Sequence, residues 1–95
     1  MDLRNYIIDW NKDKNLWLLK NRNVSFEVIE VKLLEQDILD IIPHPNEKYS
    51  HQFLLVVNIE DYIYIVPFVV DKEKEVIFLK TVIPSRKYTK KYLNK

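Results

Sequence analysis

The sequence predicts an α+β domain, and three observations carry that expectation. Two helix-forming stretches stand near the start, Asn11 to Arg22 and Ser25 to about Leu34. A series of apolar, β-branched stretches separated by polar turns follows them. Hydrophobic content of 47% beside charged content of 31% is that of a folding chain, not a disordered one. With 95 residues the expectation is a single domain, residues 1–95, with a small core.

Each element has a local cause. Asn5-Tyr6-Ile7-Ile8-Asp9-Trp10 is short, aromatic and β-branched, and a polar cluster stops it, so it reads as a first strand. Asn11 or Asp13 caps the first helix, and Leu16, Leu19 and the neighbouring Trp17 supply its apolar stripe. Trp10 and Trp17 are expected to anchor the core. Asn23 stands where the helix stop wants a left-handed residue. Ser25 is the N-cap of the second helix, with Glu27 in the first turn where the helix dipole favours an anion. Val24 and Ile29 hold the two positions of a hydrophobic staple, and Phe26, Ile29 and Leu33 form one buried face.

Ile38 to Ile42 is strand-like and ends at Pro43-His44-Pro45, where two prolines keep the backbone extended. Asn46 to Gln52 reads as an exposed loop. Phe53 to Ile59 is almost wholly apolar, as a central strand covered on both faces would be. Glu60-Asp61 is a two-residue turn into the next strand, Tyr62 to Val70, where Pro67 marks an edge or a bulge. Asp71 to Lys74 is a charged turn into a last strand from Glu75 to Ile83, which Lys80 interrupts. Pro84-Ser85 then opens a short helix to about Leu93, with Ser85 as its cap. The four later strands form a mainly antiparallel sheet on which the two early helices pack.

Composition excludes several function classes. There is no cysteine, so neither a disulfide framework nor a thiolate metal site can form. There is no glycine, which removes phosphate-cradling loops and dinucleotide fingerprints and leaves Asn and Asp to take positive-φ turns. No run approaches the roughly 18 apolar residues that span a bilayer. Met1-Asp2-Leu3-Arg4-Asn5 lacks the basic and apolar regions of a secretory leader, so the expected location is cytoplasmic.

The net charge of +1 conceals an asymmetry. Lys80, Arg86, Lys87, Lys90, Lys91 and Lys95 fall in a closing segment without a single acid, whereas all 14 carboxylates lie before it. A basic end on an acidic body suits an anionic partner, although a solvated terminal helix has the same composition.

Three stretches resemble one family. Trp10-Asn11-Lys12-Asp13-Lys14-Asn15, Val24-Ser25-Phe26-Glu27 and Ser85-Arg86-Lys87-Tyr88-Thr89 are similar, in order and spacing, to motifs of the BrnT-like toxins of bacterial type II toxin–antitoxin systems, within the wider RelE/ParE-like fold. The resemblance covers nearly the whole chain. Departures are Arg22-Asn23 where the family often has His-Gly, and Lys90-Lys91 where it usually has a Glu after the Thr. The resemblance implies a RelE-like fold: two N-terminal helices on a four-stranded mainly antiparallel sheet, with a short basic C-terminal helix. It also implies an endoribonuclease that acts on messenger RNA, on the ribosome in some relatives, and is silenced by a small DNA-binding antitoxin. No cofactor or metal is called for.

Such cleavage uses the ribose 2′-OH as nucleophile, and needs a proton acceptor, a clamp for the phosphoryl charge and a proton donor. Arg86 is the first candidate for the clamp, because guanidinium binds phosphate in bidentate fashion and stays charged. Lys80 is the second, since a lysine inside an apolar strand is explained by a groove in front of it; a lysine guarding a sheet edge is the alternative. His44 and His51 are the candidate acid and base, as the side chains that ordinarily titrate near neutrality. Lys14, Lys87, Tyr88, Lys90 and Tyr92 are candidate RNA contacts, the lysines for phosphates and the tyrosines for bases. The apolar strand surface leaves room for an antitoxin or a second copy of the chain. A non-catalytic RNA- or protein-binding module on the same fold is the alternative function.

Overall fold

The computed structural model describes residues 3–95; Met1 and Asp2, which open the segment read for a leader, lie outside them. The order of elements is β1 (Ile7–Trp10), α1 (Lys12–Arg22), α2 (Phe26–Leu34), β2 (Asp40–Pro43), β3 (Phe53–Ile59), β4 (Tyr62–Asp71), β5 (Val76–Leu79), β6 (Ile83–Pro84) and α3 (Arg86–Leu93), with a single 3-10 turn at Glu47–Tyr49. The described residues thus form an α+β fold of three helices and one mostly antiparallel sheet of six strands rather than four.

Two events raise the strand count. The first strand joins the sheet at its edge, running parallel to β5 with Ile8 opposite Ile77 and Trp10 opposite Leu79. The stretch read as one last strand is divided into β5 and β6, and both pair with β4. Between Leu79, opposite Phe68, and Ile83, opposite Ile65, the outer strand takes four steps while β4 takes three. One extra residue on one strand is a β-bulge. Pro67 lies opposite it. Its carbonyl accepts from the Lys80 N–H at 2.8 Å, so its hydrogen-less nitrogen faces the same interrupted side, where no regular ladder asks for a donor. Pro67 and Lys80 are therefore two marks of one feature.

α1 and α2 cover one face of the sheet. Leu18, Val24, Phe26, Ile29 and Leu33 form one buried cluster with Leu55, Val57, Val66, Phe68, Ile77, Leu79 and Val82. Each fully buried side chain of this size contributes about 1.5–3 kcal/mol. On the other face Leu54, Val56 and Ile63 are buried where α3 crosses β4. β3 is covered on both sides, as its composition requires.

The helix starts follow their local signals. The Ser25 side chain accepts from the Val28 N–H, Val24 and Ile29 are both buried, and Asn23 takes φ 53° at the end of α1. Asn11 caps α1 by accepting from the Lys14 N–H. The apolar stripe of α1 is not the expected one. Asn15 and Leu18 face the core, while Leu16 and Leu19 are exposed. Trp10 packs on Phe26 at 5.7 Å between ring centroids, but Trp17 is 43% exposed and is no core anchor. The reason is Asn15. Its Oδ1 accepts from the Phe26 N–H at 2.8 Å and its Nδ2 donates to Glu27 Oε1 at 2.7 Å, so a polar residue holds the inward position and ties α1 to the first turn of α2.

The absent glycine is replaced by more residue types than Asn and Asp. Positive φ falls on Asn23, Gln36, Glu60, Asp61, Glu75 and Asn94. Glu60 and Asp61 together form the two-residue β3–β4 turn, with both central residues left-handed as hairpin twist demands.

Asn15→Ala is expected to lower unfolding stability by about 1–3 kcal/mol, because it strands the buried Phe26 N–H. The urea midpoint measures it, and Leu16→Ala on the exposed flank serves as the comparison, with a much smaller change expected.

Candidate functional site

The C-terminal basic segment becomes a surface through its attachment to β4. The Ser85 N–H donates to Ile63 O at 2.9 Å, and the Ile63 N–H donates to Thr89 Oγ1 at 2.9 Å. Thr89 Oγ1 in turn donates to Ser85 O at 2.7 Å. Ile63 has both backbone groups satisfied by one turn of α3, and Ser85 caps that turn by accepting from the Tyr88 N–H. Thr89 is the buried residue of α3, so Arg86, Lys87, Lys90 and Lys91 are left exposed around it.

Two carboxylates hold the far end of this segment. Tyr92 Oη donates to Asp40 Oδ2 at 2.8 Å, reaching over to β2. Lys95 forms an ion pair with Asp61 of the β3–β4 turn. Burial, the hydrogen bond to Asp40 and the charge of Asp40 push the Tyr92 phenol from its ordinary 10.0 up to about 12.

Beside α3 an open depression of about 650 Å³ is lined by Asp61, Tyr62, Arg86, Thr89, Lys90 and Lys95. Three cations and one carboxylate border it, and that carboxylate is engaged by Lys95. Arg86 and Lys90 make no ion pair among the described residues. The other flank of α3 is aromatic. Tyr88 and Tyr92 lie 6.1 Å apart, with Lys91 Nζ at 5.9 and 5.6 Å from their rings and Lys87 Nζ at 5.7 Å from Tyr88. Chemically, the depression can bind an anion through a guanidinium and ammonium groups, and the tyrosine flank offers ring faces for a base.

The remaining candidates are not gathered here. Lys80 is exposed on the bulge, with Nζ 5.2 Å from the Phe78 ring. His44 and His51 bracket the loop between β2 and β3. His44 Nδ1 accepts from the Asn46 N–H at 3.1 Å and its ring lies 5.1 Å from Tyr49, while His51 is exposed. This loop adjoins Phe53, whereas the depression adjoins the turn after Ile59. About 20 Å of strand separates the two ends. Lys14 lies on α1, with Nζ 4.3 Å from the Trp17 ring. No group of three His, Asp or Glu side chains able to hold a metal ion occurs among the described residues. No helix among them is long and apolar enough to cross a membrane.

Asp61 read from the sequence as a turn residue, Tyr62 as a strand residue of the core or a partner interface, and Lys95 as part of the basic run. Asp61 and Tyr62 enter the site because Ser85 docks on Ile63, two residues from the turn.

The Tyr92–Asp40 contact has a pH signature. A phenol whose pKa is higher in the folded state adds stability that is full below pH 10.0 and is lost as pH rises through about 12. The stability difference between the parent chain and Tyr92→Phe is therefore expected to shrink over that interval. Asp40→Asn should bring the Tyr92 titration back towards the ordinary value, read by tyrosinate absorbance.

Searches against protein-family models, curated proteins and solved structures each found no match to this chain.

Proposed function

We propose that this chain is the toxin of a type II toxin–antitoxin pair, a cytoplasmic, metal-independent endoribonuclease that cleaves messenger RNA and so inhibits translation. The observation that carries the reading is the depression beside α3, where Arg86, Lys90 and Lys95 converge and Asp61 is the one carboxylate lining it among the described residues. The resemblance of Trp10–Asn15, Val24–Glu27 and Ser85–Thr89 to the BrnT-like toxins, and with it a RelE-like fold, supports it from the sequence side.

In this reading Arg86 grips the non-bridging oxygens of the scissile phosphate. The 2′-oxygen attacks phosphorus and gives up its proton, the bond from phosphorus to the 5′-oxygen breaks, and that oxygen takes a proton. The products are a 2′,3′-cyclic phosphate and a 5′-hydroxyl. Charge grows on the phosphoryl oxygens during attack, where a fixed guanidinium and two ammonium groups stabilise it most. Asp61 and Tyr62 are the groups in the depression able to accept and donate a proton. Lys87, Tyr88 and Tyr92 hold the flanking nucleotides. A small DNA-binding antitoxin is the expected partner.

A second reading has its own support. His44 and His51 stand at the far end of β3 from Arg86, which leaves the depression without a histidine and favours a non-catalytic RNA- or protein-binding module.

One experiment separates the two. The purified chain is incubated with RNA and the new ends are mapped, beside growth of cells expressing it with and without the neighbouring gene. The nuclease reading expects growth arrest, cyclic-phosphate ends, and a loss of about 100-fold or more in cleavage for Arg86→Ala, the scale of removing one transition-state donor. Salt-sensitive binding of RNA without cleavage would instead establish the binding module.

A further inference from the structure

α1 carries an aromatic that the core does not use. Trp17 is 43% exposed, and two cations lie against its ring: Lys14 Nζ at 4.3 Å from the centroid and the Arg22 guanidinium carbon at 4.8 Å. Neither cation is paired with a carboxylate among the described residues. Arg22 is also fixed in place, since Nη1 donates to Val82 O at 2.7 Å. Helical spacing sets Trp17 about 100° around α1 from Leu16, so this cluster is separate from the exposed Leu16–Leu19 flank.

The anchor of Arg22 relates the cluster to α3. Val82 lies between Lys80 on the bulge and Arg86 at the start of α3, within a segment that contains no acid. Val82 and Arg86 are four residues apart, at most about 14 Å of chain. Between them runs β6, which among the described residues pairs with β4 alone. Lys80, Val82 and Arg86 thus follow one another along this side of β4, with the Arg22 guanidinium fixed at Val82 and the Trp17 ring against it.

We infer that Trp17, Lys14 and Arg22 form a second subsite for single-stranded RNA, in which a nucleobase stacks on the indole and the two cations meet its flanking phosphates. The inference rests on the reading of α3 as an RNA-binding helix and extends its track past β6 to the opposite helical layer. Lys14 Nζ lies over the indole, so a stacking base takes that face as the ammonium moves out to a flanking phosphate; sequence-tolerant single-strand binders combine such rings with cations, because every base has a π-face and every nucleotide a phosphate.

The test uses the full chain and a 2′-O-methyl oligouridine of about a dozen nucleotides, a length that single-strand sites of this kind engage. The blocked 2′-oxygen prevents cleavage. Trp10, the other of the two tryptophans, is half-buried against Phe26, so Trp17→Phe isolates its signal. The oligouridine is expected to quench tryptophan emission in the parent chain and not in Trp17→Phe. Trp17→Ala should bind about 10-fold to 100-fold more weakly, the usual loss for one stacked base, while Trp17→Phe loses much less. If Arg86→Ala weakens binding but Trp17→Ala does not, and emission stays constant, the second subsite is wrong and the α3 reading stands. If Trp17 is quenched and Arg86→Ala binds as tightly as the parent chain, the subsite stands and the α3 reading falls. No binding at all overturns both. Emission changed by the neighbouring gene's protein and not by oligouridine would assign the ring to a protein partner and overturn the inference.

Discussion

Ile63 is the hinge of the whole arrangement. A residue in a two-neighbour strand normally gives its N–H and C=O to one ladder. Here the ladder to β6 ends at Tyr64 and Pro84, and the next two bonds go to Ser85 and to the Thr89 side chain. A buried backbone pair without partners costs several kcal/mol, so the chain after β6 is committed to turning into α3 at this point. That commitment has consequences in three directions. It fixes which side of α3 faces the sheet, it brings Arg86 beside the β3–β4 turn, and it covers Leu54, Val56 and Ile63 on a face that α1 and α2 do not reach.

The distribution of carboxylates completes what the hydrogen bonds begin. Asp40 and Asp61 each hold one group from the end of the chain, Tyr92 and Lys95. Both contacts lie at the surface, so each orients more than it stabilises. Their positions matter more than their strength, because they leave Arg86, Lys87 and Lys90 without ionic partners among the described residues. Repulsion among these cations is tolerable in water and becomes an advantage once a polyanion supplies the counter-charge.

Local chemistry was legible in the sequence wherever a few neighbouring residues decide the outcome. The Ser25 cap with Val24 and Ile29, the Glu60-Asp61 turn and the apolar run of Phe53 to Ile59 all depend on nothing beyond their own surroundings. The errors fall where a distant partner decides. β1 looks complete in itself, but its pairing with β5 belongs to residues far along the chain. The inward position of Asn15 is intelligible only with the start of α2 beside it, and that displacement moved Leu16, Leu19 and Trp17 outward. Pro67 and Lys80 each signalled irregularity, and only the register shows that they face one another. The site divides in the same way. The cations of α3 were visible as a charge run, whereas Asp61 and Tyr62 join them through a tertiary contact, and the histidines share a strand with the depression but not an end of it.

The parallel pairing of β1 with β5 also bears on how the chain is made. Ile7 finds its partner in Val76, so the first strand emerges from the ribosome long before the strand it needs. α1 and α2 can form early from their own caps, but the sheet they cover closes only after most of the chain has been translated, and α3 docks later still. Through that interval β3 and β4 await the strand β5 and the helix α3 that complete their packing, and the basic residues from Lys80 to Lys95 follow them in the chain. A nascent chain of this design holds apolar strands whose partners are still to come before its basic helix is assembled, and the order of synthesis itself delays any activity that resides in α3.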